Sequence, residues 1–118
     1  MNVICSPFRG YPDLGLYMDT EANKGKARSI MRGYWERNEP AIALVLLWDF
    51  LEPPYSRETD DQALRWCEHI LNAAMVAHFH YPGSLGLTAG MQGESEHCLV
   101  VGVPVTMHEY MDEEWEAL

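Results

Sequence analysis

Between Pro40 and Asp49 the chain reads Ala-Ile-Ala-Leu-Val-Leu-Leu-Trp without a polar residue, and no other stretch restricts the fold as much. The run is far too short to cross a bilayer. A continuous apolar segment, unlike an alternating one, is the signature of a strand covered on both faces in a parallel sheet. Ala41 to Leu47 is therefore expected to be such a strand, and helices are expected to cover it. Helical patterns stand on either side. From Thr20 onward Ala27, Ile30, Met31, Tyr34 and Trp35 recur at helical spacing, with Lys24, Lys26, Arg28 and Arg32 pointing elsewhere, until Glu39-Pro40 stops the helix near Asn38. Thr59-Asp60-Asp61-Gln62 has capping-box spacing, and Ala63, Cys67, Ile70, Leu71 and Ala74 mark the core side of a second helix.

Shorter apolar runs complete the series. Asn2 to Cys5 reads as the first strand, Met75 to Phe79 as the third, and Val103 to Met107 as the last, with Pro104 near the strand start, where a missing N–H does least harm. Loops rich in Gly and Pro follow the first three strands: Ser6 to Asp19, Trp48 to Arg57 with Pro53-Pro54, and Tyr81 to Leu87. Strands alternating with helices imply an α/β fold, a three-layer Rossmann-like parallel sheet of four to five strands in flavodoxin-like order, with helices on both faces. Residues 1–108 form one domain in this reading, and the acidic 109–118 segment is a solvated tail.

Composition narrows the partners. A net charge of −10 lacks the clustered basic face that a DNA or RNA polymer requires, so no nucleic acid and no membrane is expected. A small anion remains compatible, because backbone amides or one Arg hold a phosphate regardless of global charge. Cys5, Cys67 and Cys98 form no CxxC pair, which suits buried thiols in a reducing cytoplasm, and the N-terminus has no charged leader followed by an apolar stretch. His78 and His80 lie on one side of a strand, but no further ligand has credible spacing, so packing is expected of them, with no metal and no cofactor.

In open parallel sheets ligands bind beyond the carboxyl ends of the strands, so the three loops should converge on a pocket. Thr88-Ala89-Gly90-Met91-Gln92-Gly93-Glu94 reads as a glycine-lined turn entering a helix that ends at Gly102. Glu94 lies on the same helical face as Gly90 and leans toward the helix N-terminus. It is a candidate carboxylate nucleophile at a sugar carbon, or else an exposed acid favoured by the helix dipole. Ser6-Pro7-Phe8-Arg9-Gly10 is either a ligand loop, with Arg9 forked onto a phosphate and Phe8 stacked on a base, or a structural turn with a surface Arg. Asp49 is a candidate to orient a sugar hydroxyl or assist at the base, against an exposed loop acid. Tyr81, Thr88, Gly90 and Met91 are further candidates for the pocket wall.

These residues give the chain a family likeness. Val3-Ile4-Cys5-Ser6-Pro7-Phe8-Arg9-Gly10, the Asn23 and Lys26-Ala27 stretch, and Gly90-Met91-Gln92-Gly93-Glu94 running to Gly102-Val103-Pro104-Val105 resemble, in order, the nucleoside 2-deoxyribosyltransferase-like superfamily, including 2′-deoxynucleoside 5′-monophosphate N-glycosidases and small phage-type relatives. The resemblance implies that Glu94 forms a glycosyl-enzyme intermediate, that the first loop binds a nucleoside or nucleotide, and that subunits associate to complete each site. Two departures stand against it: Ala74-Met75 occupies the place of an acid common in relatives, and Leu44-Val45-Leu46 that of a Pro-His. The expected activity is hydrolysis or transfer at an N-glycosidic bond, with Asp49, Asp60 or Asp61 standing in for the missing acid. The alternative is a catalytically inactive protein that holds a nucleotide in the same cleft.

Overall fold

The computed structural model describes residues 1–51 and 56–118. In chain order the elements are β1 (Asn2–Cys5), a two-residue pair β2 (Gly10–Tyr11) and β3 (Leu16–Tyr17), α1 (Thr20–Glu36), β4 (Ala41–Ala43), α2 (Arg57–Asn72), β5 (Val76–Pro82), α3 (Ala89–Val101), β6 (Val105–Tyr110) and α4 (Asp112–Glu116). Four strands form a parallel sheet in the order β4-β1-β5-β6, and β2 and β3 form a small antiparallel ribbon. The fold is α/β with a four-stranded parallel sheet flanked by helices. No described helix is long and apolar enough to cross a membrane.

Alternation along the strands sorts the core. Ile4, Ala41 and Ala43 pack with Ala27, Ile30 and Tyr34 of α1 and with Trp115 of α4. Val3, Cys5, Ala77 and Phe79 pack with Ala63, Cys67 and Leu71 of α2 and with Met91 and Cys98 of α3. Successive residues of one strand therefore serve two clusters, as a period of two requires.

Several expectations change. The apolar run is a strand only over Ala41–Ala43, and Leu44–Phe50 winds into a 3-10 segment. Three residues suffice to pair with Asn2, Val3 and Ile4. Winding beyond them lets Leu44, Leu47 and Trp48 reach the α2 cluster while Val45 reaches the α1 cluster. The expected Trp48 to Arg57 loop thus begins as a 3-10 turn and ends in a helix, while residues 52–55, with Pro53-Pro54, lie outside the described residues.

Helix α2 also starts earlier than expected. Its capping box joins Ser56 to Thr59 rather than Thr59 to Gln62, with the Ser56 N–H donating to Thr59 Oγ1 at 2.8 Å. In α1, Trp35 is exposed, whereas Lys24, expected to point away from the core, is buried. Lys24 Nζ donates to Asp49 and Glu21 at 2.8 Å each, so a buried ammonium is stabilised by carboxylates it reaches at the helix edge.

The third strand runs Val76–Pro82 rather than Met75 to Phe79, leaving Met75 exposed and placing Tyr81 in the sheet rather than in a loop. The last strand is Val105–Tyr110, with Pro104 just before it. Its carboxyl half and α4 occupy most of the segment expected to be a solvated tail. An indole drives that change: Trp115 is buried, ring edge to Tyr110, while Lys26 Nζ caps the Trp115 carbonyl at 2.7 Å.

Candidate active site

The loops at the carboxyl edge of the sheet do meet. They enclose a cavity of about 260 Å³, at the small end for small-molecule sites, whose wall includes Ser6, Phe8, Arg9 and Gly10 after β1, Leu44, Val45 and Trp48 after β4, and Thr88, Gly90 and Glu94 at the head of α3. Asp60 and Cys67 of α2 complete it. Each wall has a local cause. Gly10 has a φ of +106°, and a Cβ there would meet the Leu16 carbonyl at 2.6 Å, so only glycine lets β3 close against the first loop. Asn23 of α1 fastens the same loop by donating to the Phe8 carbonyl at 2.8 Å. Thr88 caps α3 by accepting from the Met91 N–H at 3.1 Å, which fixes where the first turns of that helix project. Gly90 and Gly93 are not forced by any turn: both lie in the helix, and a Cβ at either meets nothing closer than 3.9 Å.

Glu94 carries the unusual electrostatics. The residue as a whole is half-buried, but its Oε2 is inaccessible to solvent and has no hydrogen-bond partner among the described residues. Burial lifts its carboxyl from the ordinary value of 4.5 to about 7, against a hydrogen bond from Cys5 that pulls the other way. Ser6 Oγ, also in the cavity wall, is a second buried oxygen without a partner. Two residues of one cavity wall thus each carry a buried oxygen without a partner, a departure from the rule that buried polar groups are satisfied. The thiols offer no competing nucleophile. Burial, reinforced by Glu94, pushes Cys5 well above its usual range and Cys67 up to about 12, so both remain protonated near neutrality.

The same wall carries an ion pair. Arg9 Nη1 and Nη2 donate to the two oxygens of Asp60 at 2.5 and 2.8 Å, and Trp48 Nε1 donates to the same carboxylate at 2.9 Å. One acid of α2 thereby ties the first loop to the 3-10 segment. The Phe8 and Trp48 rings lie 4.8 Å apart between centroids, giving the cavity an aromatic wall.

The sequence-derived candidates divide accordingly. Ser6, Phe8, Arg9, Gly10, Thr88, Gly90 and Glu94 come together in the cavity wall. Pro7, Asp49, Tyr81 and Met91 do not. Pro7 and Met91 are fully buried in the core, and Tyr81 is buried within the α2-side cluster, because the strand extends past it. Asp49 turns toward α1, where Lys24 and Arg28 bind its two oxygens at 2.8 and 2.9 Å. Slight burial raises the Asp49 carboxyl, but those two cations outweigh it and hold the group below its usual value. Asp60 and Trp48 take the places near the ligand space, and only their contact across the loops reveals it.

His78 and His80 have a partner that spacing did not suggest. His108 of β6 approaches His78 at 3.0 Å between ring nitrogens and stacks on His80 at 4.2 Å between centroids. Tyr34 and Tyr110 hydrogen-bond His80, and Asn2 hydrogen-bonds His78. Each imidazole is thus engaged in packing and hydrogen bonding. No group of three or more His, Cys, Asp or Glu side chains among the described residues is arranged to hold a metal ion. No known family model, curated protein or solved structure matches the chain.

Proposed function

We propose that the protein cleaves or transfers the N-glycosidic bond of a nucleoside-type ligand, with Glu94 as nucleophile at C1′. The observation that carries this reading is the Glu94 carboxylate: buried, without a partner at Oε2, and facing a small hollow with an aromatic wall. A base packs against the wall that Phe8 and Trp48 form together, and sugar hydroxyls reach Ser6 and Glu94. In the first step the carboxylate bonds to C1′ as the C1′–N bond breaks, its electron pair leaves with the base, and water gives the base a proton. In the second, water or another base attacks C1′ and the bond to Glu94 breaks, returning the carboxylate.

The ordered motifs that resemble the nucleoside 2-deoxyribosyltransferase-like superfamily support the same reading, as does the strand order, second-first-third-fourth when the parallel strands are counted along the chain. Helix α1 against one core cluster and α2 with α3 against the other suit a three-layer, Rossmann-like arrangement. A cytoplasmic homo-oligomer is the natural form of such an enzyme. Incubation with a panel of deoxynucleosides, ribonucleosides and their monophosphates should release free base, and Glu94→Ala should abolish release. Release that survives the substitution would refute the assignment.

A second reading rests on one specific observation. Among the described residues the acids in the cavity wall are Asp60 and Glu94, and the side-chain contacts of Asp60 go to Arg9 and Trp48. With no free acid among the described residues to protonate the leaving base, the cleft suits a protein that holds its ligand intact. Recovery of unaltered nucleoside after hours of incubation, with saturable binding, would favour that form.

A further inference from the structure

Arg9 was the residue best suited to fork onto a phosphate, and the cavity supplies it with a different anion. Both terminal guanidinium nitrogens are bound by Asp60 in the bidentate geometry that a phosphate would otherwise occupy. Asp60 is held in turn by Trp48 Nε1, so it does not swing aside without losing a third hydrogen bond. Arg9 is the one cationic residue in the described cavity wall, against the carboxylates of Asp60 and Glu94. A phosphoryl group entering here meets an acid whose charge Arg9 already balances, and a second acid that nothing balances. Like charge across a recognition surface disfavours binding.

We infer that the Arg9–Asp60 pair is a charge gate that restricts the cavity to ligands without a phosphate, so that nucleosides are bound and their 5′-monophosphates are refused. The inference rests on the proposed function for its choice of nucleosides, but the gate itself concerns only phosphate and is testable without them. Removing the Asp60 charge frees the Arg9 fork; Asn at that position keeps an acceptor for Trp48.

The experiment has two arms. In the first, binding of uncleavable C-glycosidic analogues of the deoxynucleosides and of their 5′-monophosphates is measured by calorimetry at pH 8, where Glu94 is charged and turnover does not interfere. The gate requires each bound nucleoside to outcompete its monophosphate by about tenfold or more, and Asp60→Asn to narrow that ratio by about tenfold. Arg9→Gln, which leaves the Asp60 charge unbalanced, should widen it. A monophosphate that binds as well as its nucleoside with Asp60 intact, or a ratio unmoved by both variants, overturns the gate and leaves the proposed function standing. Absence of binding by every nucleoside and monophosphate overturns the proposed function. The second arm then decides the gate alone: millimolar inorganic phosphate should raise the melting temperature of Asp60→Asn and not that of the wild type. Equal shifts in the two proteins overturn it.

Discussion

At the scale of single residues, the unusual chemistry is concentrated in one carboxyl group. Glu94 needs its charge to act as a nucleophile, yet burial raises its carboxyl to about 7. In the free protein only part of the population is ready to react at neutral pH. Because kcat/KM reports the ionisation of free enzyme, it should rise as pH increases through about 7 and level off above it. A rate that falls across the same interval would assign Glu94 the opposite part, that of a proton donor. A bound sugar hydroxyl donating to the Glu94 carboxylate favours the charged form, so the midpoint for kcat should lie below that for kcat/KM. Measuring both profiles on one released base separates these outcomes. The placement of Glu94 was legible in the sequence, because Thr88 announces a helix start and the spacing puts Glu94 on its cavity side. Its loss of solvent was not legible, since that depends on Cys5, Cys67 and Cys98 arriving from three different elements.

Among the elements, the sequence was most informative where a pattern was long and least where one segment had two uses. Helix α1 has its expected start because Asp19 accepts from the Glu21 and Ala22 N–H groups at 2.9 and 3.2 Å. Gly102 ends α3 at a φ of +78°, as its position after the last helical residue suggested. The run after Pro40 misled because hydrophobicity records burial and not conformation: a 3-10 segment between two core clusters is as apolar as a strand between two helices. The same gap hid the pairing of Asp60, a candidate acid in the sequence, with Arg9, which lies 51 residues away and meets it only when that segment turns. Two glycines test the distinction between propensity and necessity. Gly93 is an exposed interior position of α3 with open space around it, so Gly93→Ala should stabilise the protein by about 0.5–1 kcal/mol in urea unfolding. Gly10→Ala should do the reverse, costing more than about 1 kcal/mol and weakening ligand binding, because its Cβ would strike the Leu16 backbone and displace Arg9. Equal tolerance at the two positions would mean that the β2–β3 ribbon does not hold the first loop.

For the molecule as a whole, two buried clusters on opposite sides of the sheet oppose each other in their response to pH. The folded state keeps Glu94 protonated up to about 7, whereas the unfolded chain ionises it near 4.5. Folding therefore takes up a proton between those values, and stability falls as pH rises through that window, by about 3 kcal/mol for a shift of this size. The histidines work the other way. Burial holds His80 at about 3 instead of 6.5, with His108 and His78 adding to the effect, and the latter two are also lowered by burial. The folded state keeps these rings neutral, so its stability is full above 6.5 and is lost as pH falls toward 3. Between 4.5 and 6.5 the slopes oppose, and the wild type should vary less there than either cluster would dictate alone. Glu94→Gln separates them. The variant should exceed the wild type in stability by about 3 kcal/mol above pH 7, the difference should shrink toward pH 4.5, and its own decline in acid should be steeper. Urea unfolding followed by tryptophan fluorescence at several pH values reads all of this from one pair of proteins. A stability difference that stays constant with pH would mean that the Glu94 carboxylate is solvated in the folded chain. The cavity could then no longer be read as a desolvated reaction site, since its electrostatic strength depends on that loss of water.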